Sequence, residues 1–101
     1  MHTREALARS LRLAAHPVRL RILAELSRRP GRCVCDLAID LGAPQPAVSH
    51  HLGELRRAGL VQPRREGQRV EYEIEPESAS ALLASLGAVL GAGALSQGAR
   101  R

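Results

Sequence analysis

With 101 residues, 45% of them apolar, the chain has room for one domain with a modest core that dimerisation would enlarge. Tyr72 is the sole aromatic residue, which excludes the stacking platforms that bind single strands but leaves duplex recognition by polar and basic groups open. The net charge is +5, the isoelectric point is near 10.9 and Lys is absent, so the Arg-rich surface suits a polyanion, nucleic acid first; a merely solvated face is the alternative.

Residues 1–13 carry three Arg, one Glu and no apolar run, which does not read as a signal peptide. Residues 4–14 read as a short amphipathic helix with Leu7, Leu11 and Ala14 on one face. His16-Pro17 breaks the pattern, and Pro17 suits the first turn of a second helix running to about Arg29. There Leu20, Leu23 (with Ala24) and Ser27 line one side, with Ile22 and Leu26 broadening the apolar face. Pro30-Gly31 stops it.

Cys33 and Cys35 come next, in a segment expected to be extended. A disulfide across one intervening residue closes a small strained ring, so this pair does not staple a secreted fold. A reducing, cytoplasmic setting is expected. Asp36 then opens a third helix, its charge suiting the N-terminal end of the helix dipole. Leu37, Ala38 and Leu41 face inward, and Gly42 takes the left-handed stop. Pro44-Gln45-Pro46 begins a fourth helix, where first-turn prolines are acceptable; it runs to Ala58 and ends at Gly59.

Two helices joined by a short turn containing Gly, over residues 36–58, form a helix-turn-helix. On the second, Val48, Leu52 and Leu55 make the buried face, with His51 as a hydrogen-bonded boundary residue beside them. Gln45, Ser49, His50, Gly53 and Arg57 make a small, polar opposite face that fits a major groove; a solvated amphipathic helix shows the same pattern. The next segment favours the groove. Residues 60–75 read as a hairpin: Leu60-Val61 starts a strand, the polar run around Gly67 makes the tip, and Val70, Tyr72 and Ile74 alternate with charged residues. A hairpin at this position is a wing, and Arg64, Arg65 and Arg69 at its tip suit phosphate contacts that set orientation.

Residues 77–91 read as a last helix, too apolar with Leu82, Leu83, Leu86, Val89 and Leu90 to be solvated on every side. Pairing with residues 4–14 across a two-fold axis would cover it. The uncharged stretch 79–95 is only about 17 residues and is diluted by Ala, Ser and Gly, so no membrane span is expected. Residues 92–101 read as a flexible tail. The expected architecture is thus one mainly α domain over 1–101, a winged helix-turn-helix with a two-stranded β wing, dimerising through its N- and C-terminal helices.

Cys33-Val34-Cys35-Asp36-Leu37-Ala38, Gln45-Pro46-Ala47-Val48-Ser49-His50-His51-Leu52, Leu55-Arg56-Arg57-Ala58-Gly59-Leu60-Val61 and the wing Arg65–Tyr72 together resemble the ArsR/SmtB family of bacterial metal-responsive repressors, over roughly residues 5–90. The Cys-Val-Cys-Asp-Leu run is similar to the thiolate sensor of its arsenic-responsive branch. The resemblance implies a homodimer that binds an inverted-repeat operator in double-stranded DNA and leaves it when an inducer binds. It puts Gln45, Ser49 and His50 where the family reads bases, with Ala47 adding apolar contact.

Two departures matter. The arsenic-responsive pattern has a third Cys one turn after the second, where this chain has Ala38. The cadmium- and lead-responsive branch adds N-terminal cysteines, where this chain offers only His2. The family's zinc site on the last helix needs Asp and His, and residues 77–95 contain neither.

Trivalent arsenic and antimony are soft and prefer thiolates, so Cys33 and Cys35 are candidate metalloid ligands; no resident cofactor is required. Residues i and i+2 converge in an extended segment and diverge by about 200° in a helix, so chelation favours an extended or unwound helix start. Thiol oxidation, cadmium or lead binding, and a pair of buried residues with no sensing role are the alternatives. His16 reads as a surface or cap residue. No nucleophile–base pair, phosphate loop or paired carboxylates point to an enzyme. A non-DNA-binding interaction module on the same fold is the remaining competitor.

Overall fold

The computed structural model describes residues 3–91. His2 and the expected tail at 92–101 lie outside them. The order is α1 (Arg4–Ala14), α2 (Pro17–Arg28), α3 (Val34–Leu41), α4 (Gln45–Arg57), β1 (Val61–Glu66), β2 (Arg69–Ile74) and α5 (Pro76–Leu90). This is a mainly α winged helix-turn-helix whose two strands form one antiparallel sheet.

Local chemistry sets most boundaries. The Thr3 hydroxyl accepts the Ala6 N–H at 3.0 Å and starts α1. His16 caps α2, its Nδ1 accepting the Val18 N–H at 3.1 Å, with Pro17 in the first turn. Gly42 closes α3 at φ 62°, a left-handed conformation that costs a side-chain-bearing residue more. Pro44 and Pro46 occupy the N-cap and first turn of α4, where no hydrogen bond is lost.

Two expectations are corrected by the structure. The third helix begins at Val34, not Asp36, because Cys33 itself serves as N-cap. The face that α2 buries is carried by Ile22 and Leu26, four residues apart, while Leu20 and Ser27 are exposed. Both α2 stripes are apolar, and the core lies against the Ile22–Leu26 one.

That core joins Ile22 and Leu26 of α2, Leu37 and Leu41 of α3, Val48, Leu52 and Leu55 of α4, and Leu60 and Val61 entering the wing. It fixes α4 against α2 and α3 and leaves the opposite face of α4 to solvent. Leu7 and Ala14 of α1 are buried as the pattern implies, and Leu11 lies at the edge.

The wing pairs Val61 with Ile74, Pro63 with Tyr72 and Arg65 with Val70. Its turn has Gly67 at φ 63°, the positive value a two-residue hairpin of the II′ kind needs at its first central residue. The alternation in β2 is less clean than expected: Glu71 and Glu73 are half-buried, like Tyr72 and Ile74. The reason is pairing, since Gln62 Nε2 donates to Glu73 at 2.6 Å and Arg69 Nε donates to Glu71 at 2.9 Å.

The segment before α3 meets β2 through an isolated antiparallel bridge. Tyr72 N–H donates to the Arg32 carbonyl at 2.8 Å, and Gly31 N–H donates to the Tyr72 carbonyl at 3.0 Å. Gly31, at φ 84°, allows this approach; a Cβ there would lie 3.1 Å from a Glu71 carboxylate oxygen. No helix among the described residues is long and apolar enough to cross a membrane.

Candidate nucleic-acid interface and cysteine pair

The outer face of α4 presents Gln45, Ser49, His50 and Arg57 to solvent, with Ala47 and Gly53 half-buried. Arg57 is tied to Glu54 one turn back. Arg56, which the residue pattern does not single out, is exposed and has no carboxylate partner among the described residues. At about 100° per residue it falls within about 20° of the line through Gln45 and Ser49, closer than Arg57. Helical phase is the sequence signal that could have found it.

Behind this face, Arg19 Nε donates to His51 Nδ1 at 3.1 Å and an Arg19 Nη donates to the Leu13 carbonyl at 3.0 Å. His51 is thus the hydrogen-bonded boundary residue expected. Its ring lies 4.6 Å from that of His16. Burial, then the nearby His16, Arg19 and His50, hold its pKa below the usual value.

The three wing arginines differ. Arg65 is exposed and has no carboxylate partner among the described residues. Arg64 lies 3.6 Å from Glu73. Arg69 is held by two carboxylates, Glu71 beside it and Asp36 on α3.

The cysteines meet at the start of α3. Cys33 is buried and Cys35 exposed, both are free thiols, and their sulfurs are 2.6 Å apart. Convergence needs no unwinding, because Cys33 lies outside the helix with extended backbone, φ −85° and ψ 171°. The extended start that chelation was expected to favour is thus present at Cys33, while Cys35 is already the second residue of α3. Cys33 Sγ accepts the Asp36 N–H at 3.3 Å, and an Asp36 carboxylate oxygen accepts the Cys33 N–H at 3.3 Å. This is a capping box with a thiol in the place of the usual hydroxyl.

Burial pushes the Cys33 thiol up, followed by its contact with Cys35, and outweighs the Asp36 N–H that favours thiolate. The helix N-terminus therefore does not make it a low-pKa nucleophile. Asp36 is held below the usual carboxylate range, first by its bond with Cys33, then by Arg69. Its carboxylate and the two sulfurs lie within 4.8 Å of one another.

A helix-turn-helix with an exposed polar second helix, followed by an arginine-tipped wing, defines the winged helix-turn-helix DNA-binding regulators. Residues 16–62 match the family described as bacterial regulatory protein, arsR family. The chain is 38% identical over 82 residues to the HTH-type transcriptional regulator YgaV of Escherichia coli, covering 81% of this chain and 83% of that one. It is 38% identical over 78 residues to the arsenic resistance transcriptional regulator ArsR1 of Pseudomonas putida, covering 75% of this chain and 61% of that one. The solution structure of a homodimeric winged helix-turn-helix DNA-binding domain from Mycobacterium bovis, a possible ArsR-family regulator, superposes with a TM-score of 0.69 at 34% identity, covering 85% of this chain and 79% of that one. The chain belongs to the ArsR family of bacterial regulatory proteins, which are transcriptional regulators and not enzymes.

Proposed function

We propose that this regulator is a cytoplasmic homodimeric repressor that binds an inverted-repeat operator and leaves it when trivalent arsenic or antimony binds Cys33 and Cys35. The observation that carries the inducer reading is the convergence of the two sulfurs at the helix that braces α4. Soft metalloids prefer such donors. Arsenous acid would exchange two As–O bonds for two As–S bonds, the thiol protons leaving with the displaced hydroxides as two waters.

Gln45, Ser49 and His50 are the base-reading candidates, Ala47 adds apolar contact, and Arg57, Arg64 and Arg65 serve the phosphates, whereas Arg69 is already held by Asp36 and Glu71. A second copy covers α5, in which no residue is buried and Leu83 is 74% exposed. The homodimeric Mycobacterium bovis domain supports that assembly. Ligation occupies the sulfur that accepts the Asp36 N–H, so it loosens the cap of α3 and shifts the two copies of α4 from their spacing of about one DNA turn.

A divalent soft cation such as cadmium or lead is the second reading, favoured by the Asp36 carboxylate beside the sulfurs. The test is fluorescence anisotropy of a labelled duplex from upstream of the gene, with reduced protein, with and without arsenite or cadmium. Arsenite is expected to weaken binding about a hundredfold, within the usual range for allosteric coupling. A Cys33→Ser, Cys35→Ser double variant that still releases DNA with arsenite would refute the assignment, and release by cadmium alone would replace it with the second reading.

A further inference from the structure

The cysteine pair is wired to the wing as well as to α4. One carboxylate oxygen of Asp36 accepts the Cys33 N–H and also meets the Arg69 guanidinium, which reaches across from the first residue of β2. Glu71 also holds the same guanidinium, accepting from its Nε at 2.9 Å. The backbone makes a parallel connection: Arg32, the residue before Cys33, accepts the Tyr72 N–H of the same strand at 2.8 Å. Arg32 Nη1 lies 3.8 Å from Asp36, but its close bonds go to Asp40, at 2.7–3.1 Å. Arg69 is therefore the cation nearest the Asp36 carboxylate that closes the Cys33 cap.

We infer that Asp36 and Arg69 are positioning residues that couple the occupancy of the cysteine pair to the set of the wing, so that Arg69 is an internal strut rather than one of three equivalent phosphate contacts. This rests on the DNA-binding reading above. When Cys33 Sγ is taken from the Asp36 N–H, the capping box opens and Asp36 loses the geometry that holds Arg69. The wing tip, where Arg64 and Arg65 project, then loses its tether to α3. Coupling of binding free energies is reciprocal, so duplex DNA that seats the wing must in turn favour the closed cap; in the closed cap Cys33 Sγ is engaged by the Asp36 N–H and is less open to a thiol reagent.

The reciprocal arm gives a test that needs no knowledge of the natural inducer. The reduced full chain is treated with 4,4′-dithiodipyridine, and thiopyridone release is followed with and without saturating duplex, whose binding is checked by anisotropy. Wild-type protein is expected to react about tenfold more slowly on DNA, a factor typical of allosteric coupling. Arg69→Gln is expected to bring the two rates within about twofold, on the same scale, while still binding duplex, and Arg69→Lys to restore part of the difference. Arg65→Gln, which changes a wing charge outside the strut, keeps the wild-type ratio once the duplex is raised to saturation. Equal protection in wild type and Arg69→Gln would mean that DNA merely shields the thiols and would overturn the coupling, as would no protection in wild type. A wild-type chain that binds no duplex overturns the repressor reading itself and this inference with it.

Discussion

Replacing Leu83 by Gln isolates the proposed dimer contact from the fold of the single chain. Leu83 is 74% exposed on α5 and lines an apolar groove together with Leu11, Leu23, Ile74, Leu82 and Leu86. Full burial of a leucine side chain is worth about 1.5–3 kcal/mol, so covering the exposed three quarters is worth about 1–2 kcal/mol. Two-fold symmetry puts two copies in the interface, so the change costs the dimer about 2–4 kcal/mol, or roughly thirty- to a thousandfold in dissociation constant. Gln is nearly as good a helix former as Leu, so α5 itself is retained. The assay is sedimentation equilibrium over a concentration series, with circular dichroism to show that helix content is unchanged. Ile39→Gln is the control: Ile39 is 80% exposed on α3, outside that groove, and its replacement leaves the dimer constant unaltered. An unchanged constant for Leu83→Gln, or a loss equal to that in the Ile39 variant, would show that the interface lies elsewhere.

Cys33→Ala removes the α3 cap and should cost about 0.5–2 kcal/mol in urea unfolding, whereas Cys33→Ser keeps an acceptor for the Asp36 N–H and stays near wild type; both lose the arsenite response. An equal loss of stability in the two variants would deny the capping role. The folded chain disfavours protonated His51, so its contribution is present above its ordinary value of 6.5 and is lost as pH falls through the depressed folded pKa. The urea midpoint of wild type should therefore fall below pH 6.5 more steeply than that of His51→Gln, and parallel curves would show that other groups carry the effect. On α4, Arg56→Ala should weaken duplex binding more than Arg57→Ala, since Arg57 is tied to Glu54 and lies off the Gln45–Ser49 line; anisotropy showing the reverse order would move the contacting face.

The parts legible from sequence are those set by short-range rules. Prolines at 17, 44 and 46, the left-handed Gly42 and the Val48–Leu52–Leu55 stripe define the helix-turn-helix, and alternation around Gly67 defines the wing. The start of α3 lies two residues earlier than the pattern suggests because Cys is not a common N-cap, and its thiol does here what Ser or Thr usually does. The buried stripe of α2 is ambiguous in sequence because Leu20 and Leu23 are as apolar as Ile22 and Leu26; only the position of the core separates them. The Asp36–Arg69 contact joins residues 33 apart in sequence, which no local pattern reports. That is why local pattern does not separate Arg69, tied to α3, from Arg65, which has no carboxylate partner among the described residues.

Binding of duplex DNA by α4 and the wing through an arginine-rich surface underlies every functional statement above, and the salt dependence of affinity probes it without knowledge of the inducer. Each phosphate neutralised contributes about −0.9 to the slope of log affinity against log salt. A steep negative slope is expected for the wild-type dimer, and a slope shallower by about two for Arg65→Ala, because each dimer carries two copies of that residue. No duplex affinity at low salt, or a slope near zero, would show that this surface does not bind DNA.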